Sequence, residues 1–203
     1  MFKLKDVLSS SCCDLEARLI RDKDRLRETI GALKGMGFKI SMTQGVFDLL
    51  HIGHCRFLEE AKKLADILVV LVDSDMLTRS RKGEGRPIVP EDERLQMLAY
   101  IRVVDILVVR DEVIRGEGTA GDLIELIVPD FLITSETTKD FTEAEKKRLV
   151  EEGLCGKVVT LPAQATISTS ARIRNLQMDG GRELSKKIEG VVAEYLKMGG
   201  DGK

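Results

Sequence analysis

Ile67-Leu68-Val69-Val70-Leu71-Val72 is apolar at every position and gives way to Asp73-Ser74-Asp75. A strand with one wet face alternates apolar and polar residues, so a run without alternation predicts a strand covered on both faces. Parallel sheets between helical layers supply such cover. The run is also far too short to span a bilayer.

The flanking segments agree with that reading. Upstream, Cys55, Phe57, Leu58, Ala61 and Leu64 mark one face of a helix beginning near His54. Residues 38–42 read as a strand, and Leu15, Leu19, Leu26, Ile30 and Leu33 predict a helix over 14–33, ended by Gly35 and Gly37. Downstream, Pro90 at a first helical position followed by Glu91, Asp92 and Glu93 predicts a helix continuing through Leu95, Met97, Leu98 and Ile101. Residues 104–109 form the next expected strand, 122–128 a helix, and 131–134 a strand. Thr142 with Glu145 makes a capping box for a helix closing at Gly153, and 157–161 gives a fifth strand. A helix is expected from Ser168 onward. Another, after Gly180-Gly181, uses Leu184, Ile188, Val191, Val192, Tyr195 and Leu196.

Strand and helix alternate throughout, predicting an α/β fold with a Rossmann-like doubly wound parallel sheet and right-handed crossovers. The expected organisation is a helical lead-in over 1–37, a main domain over 38–178, and a C-terminal helix with a fraying tail over 179–203. Ligands of such sheets sit beyond the strands' carboxyl ends, where strand order switches.

Composition narrows the function. The chain has 203 residues, 43% hydrophobic and 33% charged, as in an ordinary globular protein. A net charge of -2 gives no reason to expect nucleic-acid binding. Residues 1–10 lack the apolar core of a signal peptide, and no segment predicts membrane insertion. Cys12, Cys13, Cys55 and Cys155 form neither a CxxC pair nor a zinc quartet, which predicts a reduced, cytoplasmic protein. Cys55 is expected on the inner face of its helix, and adjacent helical residues diverge too far for a Cys55–His54 catalytic pair.

The two histidines of the chain, His51 and His54, are three residues apart where strand passes to helix. Imidazoles there can donate to phosphate oxygens, and an opening helix turn adds unpaired N–H groups to the same anion site. They belong to Gly45-Val46-Phe47-Asp48-Leu49-Leu50-His51-Ile52-Gly53-His54, which resembles the GxFDxxHxGH signature of the cytidylyltransferase-like nucleotidyltransferase superfamily. Ile167-Ser168-Thr169-Ser170 is similar to that family's second motif. Lys82-Gly83-Glu84-Gly85-Arg86-Pro87-Ile88-Val89-Pro90, running on to Arg94, resembles the adenylyltransferase half of bacterial bifunctional heptose-phosphate enzymes.

The resemblance implies a nucleotidyltransferase-type sheet and transfer of a nucleoside monophosphate from an NTP, ATP before CTP, to a phosphorylated small molecule such as a sugar- or polyol-phosphate. It assigns catalytic roles to His51, His54 and Lys82. Nucleotide contacts fall to Gly45, Val46, Phe47, Asp48, Gly53, Arg94, Ser168, Thr169, Ser170 and Arg174, and acceptor contacts to Asp73, Asp75 and Arg86. Asp48 is expected to hold the loop or to touch magnesium indirectly. Mg2+ is the implied cofactor, although no dedicated cage of carboxylates is visible. An acceptor phosphate is largely ionised at neutral pH, its second pKa being about 6, so a Ser–His–Asp arrangement is unnecessary.

Departures concern the acceptor. Gln44 replaces an asparagine of heptose-type relatives, Pro162-Ala163-Gln164-Ala165-Thr166 replaces an Arg-Thr-Glu-Gly segment, and Ser135-Glu136-Thr137-Thr138-Lys139-Asp140 replaces a lysine-glycine-aspartate loop. Alternatives are a cytidylyltransferase for glycerol- or ethanolamine-phosphate, an FMN adenylyltransferase, or a non-enzymatic nucleotide sensor. The tetrapeptide also resembles class I aminoacyl-tRNA synthetases, but no lysine loop of their second signature accompanies it. The amphipathic terminal helices are read as core elements, with a homodimer interface as their alternative use.

Overall fold

The computed structural model describes residues 15–111, 122–138, 140–164, 185 and 187–189. In chain order the elements are α1 (Leu15–Arg18), α2 (Lys23–Gly35), β1 (Ile40–Gly45), α3 (Ile52–Lys62), β2 (Ile67–Asp73), α4 (Asp75–Lys82) and α5 (Glu91–Ala99). Then come β3 (Ile106–Arg110), α6 (Asp122–Ile127), β4 (Phe131–Ser135), α7 (Glu143–Glu151) and β5 (Lys157–Leu161). Met1–Ala165 forms one compact unit and Thr166–Lys203 another. Of the second, Ser185 and residues 187–189 are described, all helical and exposed. The helix expected from Ser168 lies outside the described residues.

All five strands pair in parallel, in the order β3-β2-β1-β4-β5. The doubly wound expectation therefore holds. Alternation along β2 explains its unbroken apolar run: Ile67, Val69 and Leu71 pack with Leu26, Ile30 and Leu33 of α2 and with Leu123 and Ile127 of α6. Leu68, Val70 and Val72 point the other way, onto Leu58 and Ala61 of α3 and Leu95 and Leu98 of α5. Every residue of β2 is buried. Among the described residues no helix is long and apolar enough to cross a membrane.

Several boundaries differ from expectation for local reasons. The helix expected over 14–33 is two helices: Leu19 leaves α1 to make a parallel bridge with Leu107, and Asp22 restarts the chain as the N-cap of α2, accepting from Arg25 N–H at 2.7 Å. Buried Arg18 fastens this break by donating to the Val104 and Ile101 carbonyls at 2.6 and 3.0 Å. Pro90 is the N-cap of α5, with φ -56 and ψ 154, so the acidic triplet itself opens the helix. Strand β1 begins at Ile40 and runs to Gly45, later than 38–42.

Helix α4 falls in a stretch whose sequence pattern predicts no element. It is largely polar and eight residues long, with Leu77 and Thr78 as its buried residues, so too few apolar positions announce it. Ser74 caps it, accepting from Leu77 N–H at 3.0 Å. The capping box of α7 is present as expected, with Glu145 accepting from Thr142 N–H at 2.6 Å and Thr142 Oγ1 accepting from Glu145 N–H at 3.2 Å. Thr142→Ala should therefore lower stability by about 1 kcal/mol, readable as a shifted denaturation midpoint at unchanged slope.

Candidate active site

The signature loop after β1 and the segment after α4 meet beyond the carboxyl edge of the sheet. Phe47 and Leu49 both adopt left-handed backbone, with φ of 53 and 46. For residues with a Cβ this conformation costs roughly 1–2 kcal/mol each, and surrounding contacts must hold it. Between them, the buried Asp48 carboxylate accepts from Arg86 Nε at 2.9 Å and a second Arg86 nitrogen at 2.8 Å. It also accepts from the N–H groups of Ile88 and Val89, at 3.0 and 2.9 Å. Burial alone would push this carboxyl up; the backbone donors and Arg86 outweigh it and hold the group below its usual range.

Arg94 makes a second fastening. It is wholly buried, donating to the carbonyls of Val46 at 2.6 Å, Asp73 at 2.8 Å and Val89 at 2.9 Å, and to the Asp75 carboxylate at 2.7 Å. One guanidinium thus ties the ends of β1 and β2 to the 86–89 segment. Arg94 holds a scaffolding position.

The imidazoles of His51 and His54 stack with centroids 4.1 Å apart and 25° between planes. His51 is the N-cap of α3, its Nδ1 accepting from Gly53 N–H at 3.0 Å. An accepting Nδ1 carries no proton, so the ring proton sits on Nε2. Phe47 meets His54 edge-on at 5.6 Å. Gly45 leaves room for that phenyl ring, because a Cβ there would lie 3.3 Å from it.

His54 Nδ1 is buried without a hydrogen-bond partner. Burial, then the neighbouring His51 and Lys82, lower its pKa to about 4, against a weaker pull upward from Asp48. His54 is therefore a neutral one-proton donor at physiological pH. The unfolded ring takes its proton near 6.5 and the folded ring near 4, so the unfolded state binds more protons between those values. Folding stability should fall as pH drops from about 6.5 to about 4, with a slope of at most about 1.4 kcal/mol per pH unit from this group. Urea titrations of wild type and His54→Gln would separate this contribution, the variant showing the shallower slope.

Lys82, the last residue of α4, has its pKa lowered by partial desolvation and then by Arg86, with Asp73 opposing. Its charge is one of the causes that lower the His54 pKa. Asp73 is buried and accepts from Arg110 at 2.7 and 2.9 Å and from Arg81 at 3.0 Å; Arg81 also bonds Asp140 at 2.8 Å. No sequence pattern points to this Arg110–Asp73–Arg81–Asp140 chain. Arg110 continues the Ile106–Val108 face of β3 and is the register partner of Asp73, a signal available only once the strands are paired. Asp75 accepts from Arg94 and lies 3.6 Å from Arg79. The acceptor residues expected from sequence, Asp73, Asp75 and Arg86, are thus gathered at one sheet edge, each bonded to protein.

Ser168, Thr169, Ser170 and Arg174 lie outside the described residues. Among the described residues no three His, Cys, Asp or Glu side chains cluster as a metal site. With Asp48, Asp73 and Asp75 all engaged, the carboxylates described do not fit a magnesium ion held by protein alone. What the loops do offer is a stacked imidazole pair at a helix start, suited to the oxygens of a phosphate chain.

A family model described as cytidylyltransferase-like matches residues 42–175. The chain is 40% identical over 131 residues to the Bifunctional protein HldE of Blochmanniella pennsylvanica (strain BPEN), covering 64% of this chain and 26% of that protein. It is 38% identical over 152 residues to the Bifunctional protein HldE of Cronobacter sakazakii (strain ATCC BAA-894), covering 75% and 30%. The chain thus spans less than a third of the length of these two curated relatives. A crystal structure of the lipopolysaccharide core biosynthesis protein from Thermoplasma volcanium GSS1 superposes with a TM-score of 0.52 at 34% identity, over 62% of this chain and 97% of that one. A pantoate-beta-alanine ligase from Francisella tularensis shares the fold at 17% identity, with a TM-score of 0.53 over 71% of this chain and 66% of that one.

Proposed function

The chain belongs to the cytidylyltransferase-like family; from that premise we propose that it is an enzyme that transfers nucleotidyl groups, moving AMP from ATP onto a sugar phosphate, a heptose phosphate before a polyol phosphate. An oxygen of the acceptor phosphate attacks the α-phosphorus and forms the new P–O bond. The bond from that phosphorus to the α–β bridging oxygen breaks, and pyrophosphate leaves. The nucleophile arrives ionised, so the protein's work is positioning and offsetting charge on the phosphoryl oxygens.

In this reading His51 and His54 donate ring N–H groups to α- and β-phosphate oxygens, and Lys82 adds positive charge as the pyrophosphate separates. Asp48 and Arg94 act as positioning residues, holding the signature loop and the 86–89 segment as one body. Ser168, Thr169, Ser170 and Arg174 keep the nucleotide role that the family resemblance implies. Magnesium belongs to this reading only as the triphosphate's own counter-ion.

The observation that carries the proposal is the stacked imidazole pair fixed at the start of α3, by the Gly53 N–H on one side and the Phe47 edge on the other. The preference for ATP and a heptose phosphate is supported by the stretch from 82 to 94 and by the kind of relatives found. Pyrophosphate release should be followed with ATP or CTP against a heptose 1-phosphate, glycerol 3-phosphate and FMN. Turnover with ATP and the heptose phosphate is the expected result. Consumption of CTP with ATP ignored would overturn the adenylyl assignment, and nucleotide binding with no pyrophosphate from any acceptor would make the protein a sensor.

A further inference from the structure

We propose that Gln44 reads a sugar hydroxyl in the crevice between β1 and β4. This deepens the nucleotidyl-transfer reading and rests on it for the identity of the ligand. Strand β1 lies between β2 and β4, so the chain leaves it toward one neighbour and later returns to the other side. That is the strand-order switch at which sheets of this type open a ligand crevice. Gln44 is the penultimate residue of β1. By alternation it continues the face of Ile40 and Met42, level with Leu71 of β2 and one step beyond the Thr43–Ile133 pair, beside Thr134 of β4.

Gln44 is 8% exposed, and both its amide nitrogen and its amide oxygen are buried with no partner among the described residues. Leaving a buried polar atom unpaired costs roughly 1–3 kcal/mol, and this side chain leaves two. Its polar neighbours are engaged elsewhere. Thr134 and Thr160 bond each other at 3.0 Å, Lys146 donates to Thr160 at 3.1 Å, and Asp73 is occupied by Arg81 and Arg110. The other unpaired buried atoms among the described residues are His54 Nδ1, within the histidine site, and the Thr78 hydroxyl, on a fully buried residue of α4.

The amide selects its ligand by chemistry. It presents a donor and an acceptor side by side, which pairs reciprocally with a hydroxyl or with two vicinal hydroxyls. Phosphate offers acceptors alone, and the amide oxygen would repel it. The residual exposure lets rotation about the terminal side-chain bonds turn the amide toward the crevice. Sugar hydroxyls reach this edge from two sources, the ribose of the nucleotide and the body of the acceptor.

The test compares wild type with Gln44→Leu, which keeps similar volume, and Gln44→Asn, whose shorter amide withdraws from the same contact. Calorimetric binding of ATP, 2′-deoxyATP and 3′-deoxyATP needs no acceptor, so it reads Gln44 even if pyrophosphate release fails. A loss of about 10-fold or more for a deoxynucleotide with wild type, levelled in either variant, assigns the ribose. Equal nucleotide binding, with kcat/KM falling about 10-fold for a deoxygenated heptose 1-phosphate and levelled in the variants, assigns the acceptor. Should Gln44→Leu fail to fold, Gln44→Asn and the wild-type preferences decide. Wild type indifferent to every deoxygenation, or variants that retain its full discrimination, would overturn the proposal.

Discussion

His54→Ala is expected to lower the rate of pyrophosphate release about 100-fold or more while leaving the thermal transition in place. The magnitude follows from removing one preorganised donor to charge that develops in a transition state. His54 is suited to that comparison because truncating it costs the fold little. Its Nδ1 makes no bond to protein, and its ring packs chiefly against the edge of Phe47 and the face of His51. His51→Ala should cut turnover comparably but also cost about 1 kcal/mol, since His51 caps α3 through Gly53 N–H. His51→Asn separates the two roles: asparagine restores the cap and thus stability, without returning an imidazole donor. Circular dichroism melts and steady-state rates on the three variants carry the test. Near-normal turnover in both alanine variants would remove the histidines from the chemistry.

The legible parts of the molecule were those set by local rules. Ile67 to Val72 announced a strand covered on both faces because burial on two sides erases alternation, and β2 is buried at each position. Thr142 and Glu145 announced a helix start because a capping box closes within four residues. The histidine pair was legible as a candidate site because it gathers a scarce residue at a strand-to-helix junction. Less legible were features set by chain closure. Asp73 faces Arg110 through the β2–β3 register, and Arg81 reaches Asp140 across 59 positions of sequence. Helix α4 is short, with Leu77 its one buried apolar side chain, and so had too few apolar positions to reveal it.

Arg94 shows what motif reasoning leaves out of view. A cation in a phosphate-binding stretch suggests a phosphate ligand, yet residues 94, 95, 98 and 99 form the inward stripe of α5. The spacing of Leu95 and Leu98 already placed position 94 near that stripe. What the sequence could not supply was a partner, because the carbonyls of Val46, Asp73 and Val89 converge only after three separate segments have been brought together.

That convergence makes Arg94→Met the substitution expected to destabilise most. Methionine fills part of the volume but strands three carbonyls that the guanidinium now satisfies and leaves the Asp75 carboxylate with Arg79 alone of its two arginines. Breaking a buried charge network from one side typically costs about 3–5 kcal/mol, and urea unfolding should show a loss of that order. Arg94→Lys should recover only part of it, since one ammonium cannot span acceptors that a planar fork reaches together. The expected kinetic signature differs from that of the histidine variants. Arg94 touches neither nucleotide nor acceptor in the proposed reaction; it fixes Val46, beside the strained Phe47, against the 86–89 segment. Below its lowered melting temperature, Arg94→Lys should raise KM and lower kcat together, because loops that no longer move as one misplace His54 and Lys82 alike. A lysine variant with wild-type stability and a selective rise in the KM for ATP would instead make Arg94 a direct ligand of the nucleotide.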